Sequence, residues 1–341
     1  MTSVQIAAIV LWVGVTAYAI FGGADFGAGI WDLLAGGAEK GARPRALIAD
    51  AIAPVWEANH TWLIFDLVIL WTAFPPAFAA IMSTLFIPLT LAGLGIVLRG
   101  SAFAFRPALG RLADRRAAGA AFAASSLVTP FFLGAAAGAI ASGRIATGDA
   151  AGDPLSSWFT PTSVFVGLLA IAVCAYLAAV FLVADARRRA DEEMATYFLA
   201  RARSAALVAG ILALVGIVVI TADAPILATE LRQRGWPLVL GSALFGTAAL
   251  VRLRRHAGTG TRMLAVGAVV CVIWGWGIAQ YPAIIAGGMS LSDAAAPSAT
   301  LGALLVIFLV AALVIGPSLG LLYTLDQRNR LEGHGIGVDD R

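Results

Sequence analysis

The chain has 341 residues, of which 60% are hydrophobic and 13% charged, and its mean hydropathy is +0.89. Soluble domains run near half apolar and a quarter charged, so a water-soluble fold is excluded and an all-α integral membrane protein is expected. The formal charge of +3 does not point to nucleic acid, because the basic residues fall in loops on one side of the expected membrane.

A spanning helix needs about 20 mostly apolar residues. The first such window, 5–34, follows an N-terminus, Met1-Thr2-Ser3-Val4-Gln5, that lacks the basic region of a secretory signal, and it is read as a retained span. Within it, Gly22-Gly23-Ala24-Asp25-Phe26-Gly27-Ala28-Gly29 superficially looks like a nucleotide-binding loop, but no strand precedes it. The Gly23-x-x-x-Gly27 spacing suits close helix packing instead. Further windows at 47–71, 76–99, 118–142, 161–184, 204–222, 236–252, 263–286 and 299–324 bring the expected number of transmembrane helices to nine, in one polytopic domain. The largest outer loops, near 143–160 and 223–235, are too short for an extramembrane domain.

Orientation follows from Lys and Arg. One set of loops holds Lys40, Arg43 and Arg45, then Arg99, Arg106, Arg111, Arg115 and Arg116, then Arg187 to Arg189 with Arg201 and Arg203, then Arg252, Arg254, Arg255 and Arg262, and finally Arg328, Arg330 and Arg341. The opposite set holds Arg144, Arg232 and Arg234. The N-terminus is therefore expected outside and the C-terminus in the cytoplasm.

Ionisable groups at bilayer depth mark function, because each is costly unless it faces a partner or water. They concentrate in the first two windows: Asp25, Asp32, Asp50, Glu57, His60 and Asp66. Asp25 and Asp32 are seven apart, as are Asp50 and Glu57, so each pair shares a helix face. Asp32 and Asp50 fall near the cytoplasmic mouth, with Asp25 and Glu57 at similar depth, about 12–15 Å inside at 1.5 Å per residue. This arrangement resembles a proton path whose long steps need water, His60 or Thr61 to fill them. The bland alternatives are interfacial pairing of Asp32 and Asp50 with Arg43 or Arg45, and a neutral Glu57 that anchors helices. Asp66 lies about half a turn away from Glu57 and has no assignment.

Pro54 removes a backbone donor and is expected to kink the second helix before Trp56 and Glu57. Trp12, Trp71 and Trp158 suit membrane interfaces, whereas Trp56 and Trp62 suit packing. Cys174 and Cys271 form no CxxC pattern and read as buried core residues. His60 is accompanied only by His256 in a loop and His334 in the tail, which excludes a bis-histidine haem within this chain; a His60–Met82 pair is the weaker option. Gln280 and Tyr281 place an amide and a phenol near the outer end of the eighth window, where they suit quinone contact or helix anchoring.

Three strings carry a resemblance: Gly23 to Gly29, the run Ile52-Ala53-Pro54-Val55-Trp56-Glu57-Ala58-Asn59-His60-Thr61-Trp62-Leu63-Ile64, and Leu98-Arg99-Gly100-Ser101-Ala102-Phe103-Ala104-Phe105-Arg106. With nine expected helices, the chain resembles subunit II of the cytochrome bd-type quinol oxidases. The resemblance implies two four-helix bundles plus one peripheral helix, in a bacterial plasma membrane. It also implies a heterodimer with a haem-bearing subunit I that holds the b- and d-type haems. Quinol and oxygen would act at that complex, with a structural quinone and a small single-helix subunit as further components. On this basis Glu57 resembles the helix-two acid of a proton route, with Asp25 and Asn59 in support. The chain departs from the family pattern at Gly22 and Ala104, where other members carry acids. A purely structural subunit and a proton-coupled transporter are the competing readings; the second half of the chain has no counterpart of the Pro54–His60 string, which disfavours a transporter built from two repeats.

Overall fold

A computed structural model describes residues 1–37, 39–52, 56–105, 110–147, 152–255 and 260–327. The first span is α1, Ser3–Leu33, which starts at a capping box in which Thr2 accepts from the Gln5 amide. The second window holds α2, Ala42–Ile52, and α3, Trp56–Ala73; Ala53, Pro54 and Val55 between them lie outside the described residues. The third window is divided. Pro75 opens α4, Pro75–Thr84, which turns 119° away from α3. A further break at Leu85 precedes α5, Phe86–Phe105. Pro88 explains that break, since it has no N–H to give the Thr84 carbonyl one turn earlier.

The remaining spans are α6, Leu112–Ala141, α7, Pro161–Arg188, and α8, Glu192–Asp223. The expected outer loop at 223–235 is mostly helical: α9, Pro225–Glu230, runs through a π turn, Leu231–Gly235, into α10, Trp236–Arg254. The wider turn sits just before Pro237, whose missing donor disturbs the preceding hydrogen-bond ladder. α11, Thr261–Gln280, stops six residues short of the expected end, because 281–290 form a small antiparallel hairpin of β1, Ala283–Ile285, and β2, Met289–Ser290. The last helix is α12, Ser298–Gln327.

Among the described residues, seven helices are long and apolar enough to cross a membrane, and the bent α3–α4 pair makes an eighth. Within the third expected window the helix is interrupted at Leu85. Two apolar cores hold the helices. At the arginine-rich end Trp31, Ile48 and Phe122 pack with Leu177, Phe198 and Leu253. At the other end Leu11, Ile69 and Phe74 pack with Leu85, Trp158 and Leu301. Trp158 is therefore a core residue rather than an interfacial one, and its indole N–H donates to the Pro154 carbonyl at 2.8 Å. α1 lies against α3, α6 and α7. Its approach to α7 requires Gly27, where an added Cβ would fall 1.8 Å from the Cys174 carbonyl oxygen. α12 lies against α1 and α3 and turns a row of apolar side chains outward, Val306, Leu309, Val310 and Leu313 among them.

Candidate functional site in the α1–α3–α5 interior

α1 brings Asp25 into the interior with only 4% of its surface exposed. Its partner is Arg99 on α5, 3% exposed, whose Nη2 donates to Asp25 Oδ1 at 2.8 Å and to the Asp25 carbonyl at 2.7 Å. Arg99 Nη1 donates to Ser126 Oγ on α6. The guanidinium also lies 4.1 Å from the Phe122 ring centroid and 5.1 Å from that of Phe26. One cation thus joins three helices, with its charge, its donors and its flat face all engaged.

Arg99 is the residue that the loop-charge reading misplaced. It is not a surface cation marking a loop but the buried counterion of Asp25. The signal was available: apolar residues continue on both sides, from Ile96 to Phe103, so Arg99 lies inside an apolar run.

α3 contributes Asn59, 4% exposed, whose Oδ1 has no protein hydrogen-bond partner. The His60 ring lies 5.9 Å from that of Phe26 and 6.4 Å from that of Tyr18. Glu57 and Trp56 occupy the first turn of α3; their side chains, like the whole of Pro54, lie outside the described residues.

The mouth acids find partners at the rim. Asp32 pairs with Arg45 at 3.3 Å, as the interfacial reading expected, but Asp50 pairs with Arg189 at 2.7 Å rather than with Arg43 or Arg45. Arg43 instead reaches Asp191 at 3.0 Å and also Glu193. Asp191 caps α8 by accepting from the Met194 amide at 3.1 Å. That amide, with Arg43 adding to it, holds the Asp191 carboxyl below the usual carboxylate range, and Glu193 and then Asp191 raise Arg43 above its ordinary value.

The Gln280–Tyr281 corner is held within the chain. Gln280 accepts from Trp276 Nε1 at 2.6 Å and donates to the Ile284 carbonyl at 2.6 Å. The Tyr281 hydroxyl accepts from Gln5 Nε2 at 3.0 Å, and Arg234 donates to the Tyr281 carbonyl at 3.0 Å. Trp12 is half-buried: its indole donates to the Ile273 carbonyl at 3.1 Å and its ring meets Trp276 edge-on. Cys174 and Cys271 are free and buried. His256 and His334 fall outside the described residues, among which no group of three or more His, Cys, Asp or Glu gathers as a metal site would require.

Residues 3–326 match the family described as cytochrome bd terminal oxidase subunit II. The chain belongs to that family. Its similarity to the cytochrome bd ubiquinol oxidase subunit 2 of Bacillus subtilis (strain 168) is 32% identity over 112 residues, which is 33% of this chain and 32% of the relative. The match thus spans about a third of that relative's length. Likeness to a solved structure is far more extensive: the bd oxidase from Geobacillus thermodenitrificans aligns over 95% of this chain and 98% of the solved chain, with a TM-score of 0.80 and 26% identity. Asp25, Arg99, Asn59 and His60 lie in the three strings that carry the sequence resemblance, and Ser126 lies outside them.

Proposed function

We propose that this protein is the non-haem subunit of a quinol:oxygen oxidoreductase. In that reading it stabilises a haem-bearing subunit I in a bacterial plasma membrane and supplies a cytoplasmic proton path. The observation that carries the reading is the match to the subunit II family over nearly the whole chain. Quinol oxidation and the b- and d-type haems belong to the partner, and a small single-helix subunit completes the assembly in some members. Nine crossings are proposed by counting α3 and α5 with the seven long helices, while α4 lies across the outer end. This count puts the N-terminus outside and the C-terminus in the cytoplasm.

Protons would enter near Asp32 and Asp50 and pass Glu57, Asn59 and His60. Asn59, buried on α3, and His60, packed against Phe26 and Tyr18 of α1, support this reading because they bring polar groups into the α1–α3 contact. Asp25 has a second reading, favoured by its buried pairing with Arg99: a positioning residue that locks α1 to α5 and α6 beside the route. Gln280 is held by Trp276 and the Ile284 carbonyl, while Tyr281, 46% exposed, keeps its hydroxyl proton free for a quinone or a partner-subunit contact.

Two measurements test the proposal. The tagged chain purified from native membranes should bring down a partner with a b- and d-haem reduced-minus-oxidised spectrum and quinol oxidase activity; recovery without haem or activity would remove the oxidase assignment. Glu57→Gln and Glu57→Ala should assemble with full haem content yet lose turnover by about 10²-fold or more, the usual scale for losing a proton-transfer group. Normal turnover in both would leave Glu57 as a packing residue.

A further inference from the structure

Four buried oxygens with no hydrogen-bond partner among the described residues lie on α1 and α3: Asp25 Oδ2, Tyr18 Oη, Asn59 Oδ1 and Asp66 Oδ1. Their placement is ordered. Gly14, Tyr18 and Asp25 follow at intervals of four and seven, so they form one stripe of α1, and Asn59 and Asp66, seven apart, form one stripe of α3. The stripes face each other in antiparallel sense, because His60 packs on Phe26 while Asp66 lies against Gly14. An added Cβ at Gly14 would come 1.9 Å from Asp66 Oδ1; the carboxyl fits there only because residue 14 has no side chain.

Asn59 therefore lies level with the Asp25 turn, Asp66 lies level with Gly14, and Tyr18 lies between. The Tyr18 ring leans over Gly22, where an added Cβ would be 2.8 Å away, and it stands within electrostatic reach of both Asp25 and Asp66. Where family relatives carry an acid, Gly22 leaves room for this phenol. The eleven residues from Gly14 to Asp25 cover about 16 Å of axis.

Buried polar atoms without partners are rare, and ordered water is the usual partner when several share one seam. Asp66 is 9% exposed and forms no ion pair among the described residues. Arg99, the nearest cation named here, is engaged by Asp25 and Ser126. Among the described side chains, the other titratable groups along the seam are Tyr18, His60 and, from α7, Cys174. A carboxyl so placed in a membrane interior takes its neutral form, because desolvation penalises the charge.

We propose that the α1–α3 seam holds a file of bound waters running from Asp25 past Asn59 and Tyr18 to Asp66, with Asp66 as its protonated far end. Tyr18 donates and accepts in the file, and Asp66 exchanges its proton through it. The proposal extends the proton-path reading beyond Asp25 but does not depend on Glu57 carrying protons.

Infrared spectroscopy of the purified complex containing this chain reads both parts of the claim. The wild type should show a protonated-carboxyl C=O band that vanishes in Asp66→Asn and shifts within minutes of transfer to D2O. Tyr18→Phe, which removes only the hydroxyl, should keep the band but slow its D2O shift by about tenfold or more, since each link adds to the transfer barrier. No band lost in Asp66→Asn, a wild-type band still unshifted after a day, or wild-type exchange in Tyr18→Phe would each overturn the proposal. Glu57→Gln separates the two readings: lost turnover with the Asp66 band intact supports both, whereas normal turnover with fast Asp66 exchange sinks only the Glu57 route.

Discussion

Arg99 illustrates how one buried charge can organise three helices. Burying an ion pair is expensive, and removing one partner leaves the other stranded, at a cost of about 3–5 kcal/mol. With side-chain exposures of 4% and 2%, Arg99→Ala and Asp25→Asn each belong in that class, because each leaves the other member as a buried charge without its counterion. Differential scanning calorimetry of the detergent-solubilised assembly should show both single variants destabilised by about 3 kcal/mol or more. Asp25→Asn combined with Arg99→Met should recover a large part of that loss, since no unpaired charge is left. Unchanged melting of either single variant would mean that the pair is solvated in the assembly. The acids were legible in the sequence as a cluster, but the pairing was not: Asp25 and Arg99 are 74 positions apart, a separation that helical periodicity cannot bridge. Tyr18 was missed for a related reason, since a tyrosine in an apolar run looks like any packing aromatic until its hydroxyl proves to be buried without a protein partner.

At the scale of elements, proline placement accounts for where the helices break. Pro75 and Pro88 divide the third window into α4 and α5, and Pro237 follows the π turn that leads into α10. Hydropathy sums over a window and is blind to such a break, so it returned a continuous span at 76–99. The arginine-rich rim is tied by an ionic latch between α2 and α8, Arg43 to Asp191 and Glu193. Because the folded-state Asp191 is held below its ordinary value, chiefly by the Met194 amide, its stabilising contribution is present above about pH 3.9, the unperturbed value. That contribution is lost as pH falls through the folded-state value. Arg43, raised from an already high value, stays charged throughout. Amide hydrogen exchange in the first turn of α8 should therefore be constant from pH 8 to pH 5, after correction for intrinsic rates, and accelerate in more acid buffer. Asp191→Ala should show the fast exchange already at neutral pH. An acid-insensitive Met194 amide would remove the latch.

At the scale of the whole molecule, the rim charges and the outward apolar faces of α8, α10 and α12 describe a body bounded by lipid and partner rather than by water. The orientation proposed from loop arginines can be tested directly because both native cysteines are buried. A membrane-impermeant maleimide should label Leu155→Cys in intact spheroplasts and Glu39→Cys only after permeabilisation. The reverse pattern would invert the topology. The class of the protein, its helical character, the acidic concentration in the first two windows and the subunit II family were all decided by composition and by local strings. Those features depend on residues close in sequence, whose periodicity and transfer energies act over one or two turns. Only the tertiary structure decided that Arg99 is a buried counterion, that Asp50 pairs with Arg189, that Trp158 is buried, and that Asp66 rests on Gly14. Each of these depends on which helix faces come together, and that is set by the summed packing of distant segments rather than by any local run of residues.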